Sequence, residues 1–196
     1  MSESKKDLIQ FFLQSGLVNR ENAVLITDRF NEKKLHKNEF FLQEGKLPDE
    51  YLFLQKGFMR AYAVDPEGNE VTTAFYSANN VVFEVSSFFN RTKSRENIQA
   101  LTDCEGWFIS YEELNNLFHS LPAFRDFGRS ILVKGFSSLK TRMLSLITET
   151  AEERYRHLMN AQPEIFQYAP LKHIASYLGI TDTSLSRIRK ELAVKE

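Results

Sequence analysis

The stretch from Leu171 to Lys190 constrains this chain more than any other. An apolar helical face that includes Ala175 and Leu178 is followed at once by Gly179, which tolerates the positive φ that ends many helices. Thr181 then offers a hydroxyl that can cap the first N–H groups of a second helix. The second helix is predicted to run from about Thr181 to Leu192, with one apolar face at helical spacing: Leu185, Ile188 and Leu192.

Two short helices around a glycine turn are typical of a DNA-binding helix-turn-helix, whose second helix enters the major groove. Small Ala175 lets the two helices cross closely. Any helical hairpin with a glycine turn could show part of this pattern, so a purely structural hairpin is the alternative. The predicted DNA contacts are the polar side chains of the second helix and one lysine of the first: Thr183, Ser184, Ser186, Arg187, Lys190 and Lys172.

Composition limits the classes of protein and the compartment. The formal net charge is −1, so the chain is not a polycation, and attraction to DNA would have to be local. The single cysteine, Cys104, excludes an internal disulfide and an iron–sulfur cluster ligated within one chain, and it favours a reducing compartment. No apolar run approaches the ~18 residues of a membrane span, and no signal-peptide core follows the N-terminus. We therefore expect a cytoplasmic protein that does not enter a membrane.

The N-terminal half predicts an α+β unit. Residues 4–14 and 20–30 have the pattern of two amphipathic helices, and from about Glu39 the pattern changes to short strands. A turn at 65–69 predicts a hairpin within residues 51–76. Further short runs at 81–83, 97–101 and 106–109 complete an antiparallel, jelly-roll-like β-roll with flanking helices.

A long helix is predicted from about 122 to 148, after Pro122. It has two apolar stripes, and two stripes need two surfaces to cover them. We expect Phe124, Phe127 and Ile131 to pack on the roll. The second stripe predicts a homodimer interface, with a single intramolecular contact as the alternative: Leu132, Phe136, Leu139, Met143 and Leu146. The predicted domains are a sensor unit, 1–148, and a helix-turn-helix unit, 149–196.

The order of roll, long helix and helix-turn-helix resembles the Crp/Fnr family of bacterial transcriptional regulators. The resemblance also rests on 41–45 (Phe-Leu-Gln-Glu-Gly), the 54–57 turn, 65–70, and Cys104 with the Ile-Ser-Tyr of 109–111. It implies a cyclic-nucleotide-binding-type sensor domain, a dimerising helix and a DNA-binding domain. The implied partners are double-stranded DNA, a second copy of the chain, RNA polymerase and an unknown small-molecule effector.

The residues that match the family's nucleotide site depart from its pattern. The resemblance places the effector pocket at Glu84, Ser94 and Arg95, but Phe83 stands where the family has glycine. Arg95 is displaced by one position, which in a strand turns a side chain to the opposite face, and Glu96 puts an anion where a phosphate should sit. These departures argue against cAMP, and no cofactor is predicted. A slipped register could restore Arg95, and a structural ion pair of Glu84 and Arg95 is the other alternative.

The recognition helix also departs from the family pattern. Arg187 is retained and could pair with guanine, whereas Asp182 in the first turn repels phosphate. Six residues follow Lys190, too few for the two-stranded wing that many members carry. We therefore expect phosphate contacts from Lys172, His173 or Lys195.

No catalytic or metal site is predicted, because the four histidines are far apart and match no ligand or catalytic spacing: His36, His119, His157 and His173. The chain is therefore not expected to be an enzyme. The rival function is a small-molecule-binding or protein-binding sensor or scaffold with a vestigial DNA-binding domain. It is favoured by the modest formal charge of +2 in residues 171–196, where five basic residues face three acidic ones.

Overall fold

The computed structural model describes residues 5–195, and the side chains of residues 5–193. Two short helices lead into eight strands, which surround one further helix and are followed by six more. In chain order the elements are α1 (Lys6–Gln14), α2 (Arg20–Thr27), β1 (Asn31–Leu35), β2 (Phe40–Leu42), β3 (Glu50–Lys56), β4 (Met59–Val64), β5 (Glu70–Tyr76), β6 (Asn80–Val82), α3 (Val85–Asn90), β7 (Asn97–Ala100), β8 (Cys104–Ser110), α4 (Tyr111–Ser120), α5 (Pro122–Thr148), α6 (Ala151–Ala161), α7 (Ile165–Tyr168), α8 (Leu171–Tyr177) and α9 (Asp182–Lys195).

The strands form two antiparallel four-stranded sheets, β1-β8-β3-β6 and β2-β7-β4-β5, so the predicted α+β class and β-roll are confirmed. The predicted hairpin is β4–β5, whose turn is closed by hydrogen bonds between the Asp65 carboxylate and the amides of Glu67 and Asn69. Small and aliphatic side chains fill the space between the sheets: Leu35, Leu42, Leu52, Leu54, Met59, Ala61, Val82, Ile98, Ala100 and Cys104. Three elements, β1, α3 and α7, were not predicted.

A second core, rich in phenylalanine, lies between the outer face of the first sheet and the N-terminal helices. Phe12 of α1, Phe53 of β3, and Phe124 and Phe127 of α5 are all buried in it. The first half of α5 is therefore fixed against the roll, as the Phe124, Phe127 and Ile131 stripe predicts.

The second half of α5 carries apolar side chains that this single chain leaves exposed. Phe136 is 69% exposed and Leu139 62%, and the other residues of the predicted interface, Leu132, Met143 and Leu146, are 39–51% exposed. Burying such a stripe against another apolar surface would be favourable. The homodimer assignment of this stripe stays a prediction.

The C-terminal helices share a third core. Thr150 and Glu153 form a capping box at the start of α6, which ends before Pro163. Apolar residues from α6 to α9 meet in one cluster, and Phe58 of the roll joins it. The predicted boundary at 148–149 coincides with the end of α5, and the roll and the C-terminal helices also pack on each other.

Candidate nucleic-acid interface

The turn between α8 and α9 is built as the sequence predicts. Gly179 has a φ of +69°, and the amide of Ile180 donates to the carbonyl of Ala175 at 3.0 Å, which closes the end of α8. The Thr181 hydroxyl then accepts from the amide of Ser184 at 3.2 Å and caps α9. Gly179 also lies against α5, since an added Cβ would stand 3.3 Å from Leu146. Turn and cap together fix the direction in which α9 leaves α8.

Apolar contacts fix the rotation of α9 about its axis. Leu185, Ile188 and Leu192 are at most 9% exposed and pack with Ile174 and Ala175 of α8. Because these three residues recur at helical spacing, they form one stripe of α9 that is buried in the core. Between Asp182 and Ala193 the other side chains of the helix are exposed, except that of Ser184, which is half-buried.

The outward face of α9 carries most of the predicted DNA contacts. Thr183, Ser186, Arg187 and Lys190 are exposed, and Lys172 is exposed at the start of α8. Arg187 is 75% exposed, and its Nε lies 3.8 Å from a carboxylate oxygen of Glu191, one turn along the helix. Such an exposed pair is weak, so the guanidinium can exchange this partner for another.

Ser184 differs from the other predicted contacts. It is half-buried, and its hydroxyl accepts a hydrogen bond from the Thr181 hydroxyl at 3.0 Å. The side chain is thus part of the cap of α9. Because none of these distances involves DNA, the six-residue assignment stays a prediction.

The expectation that His173 contributes a phosphate contact is wrong. His173 is 9% exposed, and its Nε2 lies 3.3 Å from Nη1 of Arg60, because α8 packs this face on β4 and β5 of the roll. The side chain of Lys195 lies outside the described side chains. The helix α9 continues to Lys195, so no strand follows it within residues 5–195.

Three arginines that the sequence reasoning missed hold the helix-turn-helix in place. Arg142 of α5 donates to the carbonyls of Thr73 in the roll and of Tyr177 in α8, at 2.8 and 3.1 Å. Arg154 of α6 donates to the carbonyl of Leu178 at 3.1 Å. Arg60 of β4 contacts His173 of α8. Of the three, only Arg60 stands out in the sequence, as a charge at an outward position between aromatic residues of a strand.

The residues that match the family's nucleotide site have local partners. The Glu84 carboxylate caps α3, accepting from the amides of Ser86 and Ser87 at 2.9 and 2.7 Å. The Ser94 hydroxyl donates to the carbonyl of Glu96 at 2.8 Å and accepts from its amide at 3.0 Å. Arg95 is exposed. The assignment of these residues to an effector pocket stays a prediction.

Glu96 is the half-buried neighbour of exposed Arg95. Burial raises the pKa of Glu96; the hydrogen bond to Thr73 opposes this, the negative charge of nearby Glu84 adds to it, and Arg142 opposes it least. Two carboxylates therefore influence each other near the position that the resemblance gives to a phosphate. Such a site disfavours a further anion.

Within the described part of the chain, no group of three or more histidine, cysteine, aspartate or glutamate side chains could hold a metal ion. In the same region, no helix combines the length and the apolar character that a bilayer crossing needs. Cys104 is 2% exposed, and burial raises the pKa of its thiol.

Comparison with known proteins shows which domain family and which solved structures the chain resembles. Residues 32–120 match the family model of the cyclic nucleotide-binding domain. No curated protein sequence matches the chain closely. Three solved structures share its fold: FixK2 from Bradyrhizobium japonicum (TM-score 0.72, 18% identity, 85% of each chain covered), the c-di-GMP-responsive global regulator CLP from Xanthomonas campestris (0.68, 16%, 94% of this chain and 91% of that one) and the catabolite activator protein of Thermus thermophilus (0.57, 18%, 91% and 85%).

Residues 32–120 are therefore similar to cyclic nucleotide-binding domains. As a whole the chain has the fold of these three proteins and of a protein from Eubacterium rectale assigned to the Crp/Fnr family of transcriptional regulators (TM-score 0.72, 16% identity, 95% of this chain and 88% of that one), which confirms the resemblance predicted from the sequence.

Proposed function

We propose that this protein is a cytoplasmic, sequence-specific DNA-binding transcriptional regulator of the Crp/Fnr type that acts as a homodimer. The observation that carries the proposal is the outward face of α9, where Thr183, Ser186, Arg187 and Lys190 are exposed on a helix whose opposite stripe is buried. A rigidly seated helix with such a face suits the major groove. FixK2 and the catabolite activator protein, which share the fold, support the proposal.

The dimer is supported by the exposed stripe on α5. A symmetric pairing would bring Phe136, Leu139 and Met143 of one copy against the same residues of the other. Two recognition helices related by a twofold axis would read a pseudo-palindromic site, with half-sites about 34 Å apart. Dimer symmetry thus links the α5 stripe to the form of the operator.

The effector of the roll is proposed not to be cAMP. Phe83 is 8% exposed and fills the core where the family has glycine, while exposed Arg95 and half-buried Glu96 reverse the charge expected around a phosphate. A different effector would act by favouring one arrangement of α5 and the C-terminal helices over another. RNA polymerase is the further partner that this class implies.

The second candidate is a sensor or scaffold that does not use DNA. It is favoured by the formal charge of +2 in residues 171–196 and by the Arg187–Glu191 pair, which lowers the local positive potential. Binding of a protein or small molecule that persists after residues 171–196 are deleted would favour this candidate.

The two functions are separated by capturing fragmented genomic DNA on the purified protein and sequencing it after washes at rising salt, with and without cAMP. The regulator predicts one dyad motif that survives the salt at which non-specific complexes dissociate. Only salt-labile DNA without a motif would contradict it. Dependence of the motif on cAMP would show that the nucleotide site is functional.

Lys172→Ala, Lys190→Ala and Arg29→Ala refine the experiment. Lys172 and Lys190 belong to the proposed surface, whereas Arg29 is exposed on the sensor unit beside Glu113. Loss of a phosphate contact should weaken binding to all sequences alike and reduce the salt dependence. The Arg29 variant should bind as the wild type does.

A further inference from the structure

The helix-turn-helix is seated on the outer face of the β4–β5 hairpin. Phe58 lies just before β4, and the centroid of its ring is 5.7 Å from that of Phe75 in β5 and 5.5 Å from that of Tyr168 in α7. Phe75 in turn lies 5.2 Å from Tyr177 of α8. These aromatic contacts are independent of pH, and they give the interface its apolar part.

The strand β5 lies at the edge of its sheet, and α8 supplies part of its missing partner. The amide of Thr72 donates to the Ser176 hydroxyl at 2.8 Å, and that hydroxyl donates to the carbonyl of Glu70 at 3.1 Å. The Ser176 side chain of α8 thus forms hydrogen bonds with one amide and one carbonyl of the edge strand. These bonds favour one position of α8 on β5, because a buried edge group without a hydrogen-bond partner is costly.

A buried arginine lies at the centre of this interface. Arg60 of β4 is 1% exposed and points outward from the sheet. Its Nε donates to the Thr72 hydroxyl at 2.9 Å, and its Nη1 donates to the Glu70 carboxylate at 2.6 Å. The same Nη1 lies 3.3 Å from Nε2 of His173. The roll therefore presents its buried charge directly to a histidine of the DNA-binding domain.

The chemistry of this contact requires a neutral imidazole. A guanidinium can only donate hydrogen bonds, so Nε2 of His173 must be the acceptor and cannot carry a proton. Protonation would place two donors and two positive charges 3.3 Å apart in a buried site. The contact would then change from attractive to repulsive.

We propose that the Arg60–His173 contact is a pH-sensitive latch, which holds the helix-turn-helix on the β4–β5 face when His173 is neutral and releases it when His173 is protonated. The proposal concerns the regulation of the DNA-reading surface and so rests on the proposed function. The latch sets where α9 points relative to the sensor roll.

Four charged groups face the imidazole of His173 from the elements around it: Arg60 on β4, Glu70 on β5, Asp182 on α9 and Lys172 on α8 itself. Burial, followed by the charges of Arg60 and Lys172, lowers the pKa of His173 from 6.5 to about 4, and the two carboxylates only partly oppose this. Glu70 stays ionised beside Arg60. Burial works to raise its pKa, but the hydrogen bond and charge of Arg60 outweigh burial and lower it.

The direction of the pH effect follows from linkage. The pKa of His173 is lower when the helix-turn-helix is docked than when it is released. Docking is therefore favoured above pH 6.5, where His173 is neutral in both states, and it weakens as the pH falls from 6.5 towards 4. With those two values, the undocking constant should rise about 30-fold between pH 8 and pH 5.

The test is a pair of fluorophores on the full chain, at Glu67→Cys in the exposed β4–β5 turn and Gln167→Cys on the exposed face of α7. Cys104 is 2% exposed, so labelling of the folded protein is expected at the two introduced cysteines. Energy transfer in a urea series gives the undocking constant at each pH, and far-UV circular dichroism reports whether the helices remain folded. The variants are His173→Gln, which keeps a neutral acceptor, and His157→Gln, an exposed histidine of the same domain.

The latch predicts the 30-fold change in the wild type and in H157Q, and no change in H173Q. Equal pH dependence in H173Q and the wild type would overturn it. Loss of energy transfer and of the far-UV helical signal at the same urea concentration at every pH would also overturn it. His173 would then stabilise the folded helices themselves and not their docking on the roll.

Ser176→Ala supplies an independent variant should H173Q not fold. It removes both edge-strand bonds, so docking should weaken by roughly tenfold at pH 8 and pH 5 alike. The pH ratio should stay as in the wild type, and a lost ratio would contradict the latch. Since no DNA is present, these results stand whether or not the protein reads DNA, which the capture experiment decides separately.

Discussion

Phe136→Ala tests the proposed dimer most sharply, because Phe136 is 69% exposed and is the most exposed residue of the α5 stripe. A buried phenylalanine covers about 150–250 Å², and alanine would retain part of that area. The variant therefore loses roughly 100 Å² of apolar burial per protomer, or about 2.5 kcal/mol at ~25 cal/mol/Å². The symmetric pair loses about 5 kcal/mol, so Kd should rise between roughly three and four orders of magnitude.

Sedimentation equilibrium over a wide concentration range measures this Kd. Leu25→Ala is the matched control, since Leu25 is 54% exposed on α2, away from the stripe. It should leave Kd unchanged, and Phe136→Leu should fall between the wild type and Phe136→Ala. An unchanged Kd in Phe136→Ala would refute the assignment of this stripe to the dimer interface.

Three substitutions test the fold by chemical denaturation. Gly57→Ala should lower the free energy of unfolding by about 3 kcal/mol or more, because φ is +104° and an added Cβ would lie 2.5 Å from the carbonyl of Asp103; a wild-type midpoint would contradict this. Thr150→Ala should cost about 1 kcal/mol by breaking the capping box with Glu153; no loss would show that the box is dispensable. Glu96→Gln should stabilise the protein at neutral pH, where burial and a nearby carboxylate disfavour the charge of Glu96. The difference from the wild type should shrink as acid protonates Glu96, and a constant difference would exclude its titration as the cause.

The features predicted from the sequence are those with a local chemical cause. Gly179 and Thr181 specify a turn and a cap over a few residues, and both are found where the sequence places them. The hairpin turn at 65–69 is specified in the same way. In contrast, β1 was missed because Asn-Glu-Lys-Lys-Leu is a polar strand at the edge of its sheet, and only its pairing with β8 makes it a strand.

The seating of the C-terminal helices could not be predicted from the sequence. His173 was one of three residues expected to contact phosphate, because too few residues follow Lys190 for a wing, but α8 packs it on β4 and β5. Arg60 and His173 are 113 positions apart, and nothing in either local sequence indicates their contact. Arg142 joins three elements in the same way. The contacts between units arise only from the assembled fold.

Whether α9 reads bases is measured most directly by selecting bound sequences from randomised DNA with the wild type and with Arg187→Ala. Arg187→Ala is expected to weaken binding by roughly 1–3 kcal/mol and to relax discrimination at one position in each of two symmetric half-sites. Arg29→Ala, on the sensor unit, should leave motif and affinity unchanged. An identical motif in Arg187→Ala and the wild type would contradict base reading by α9.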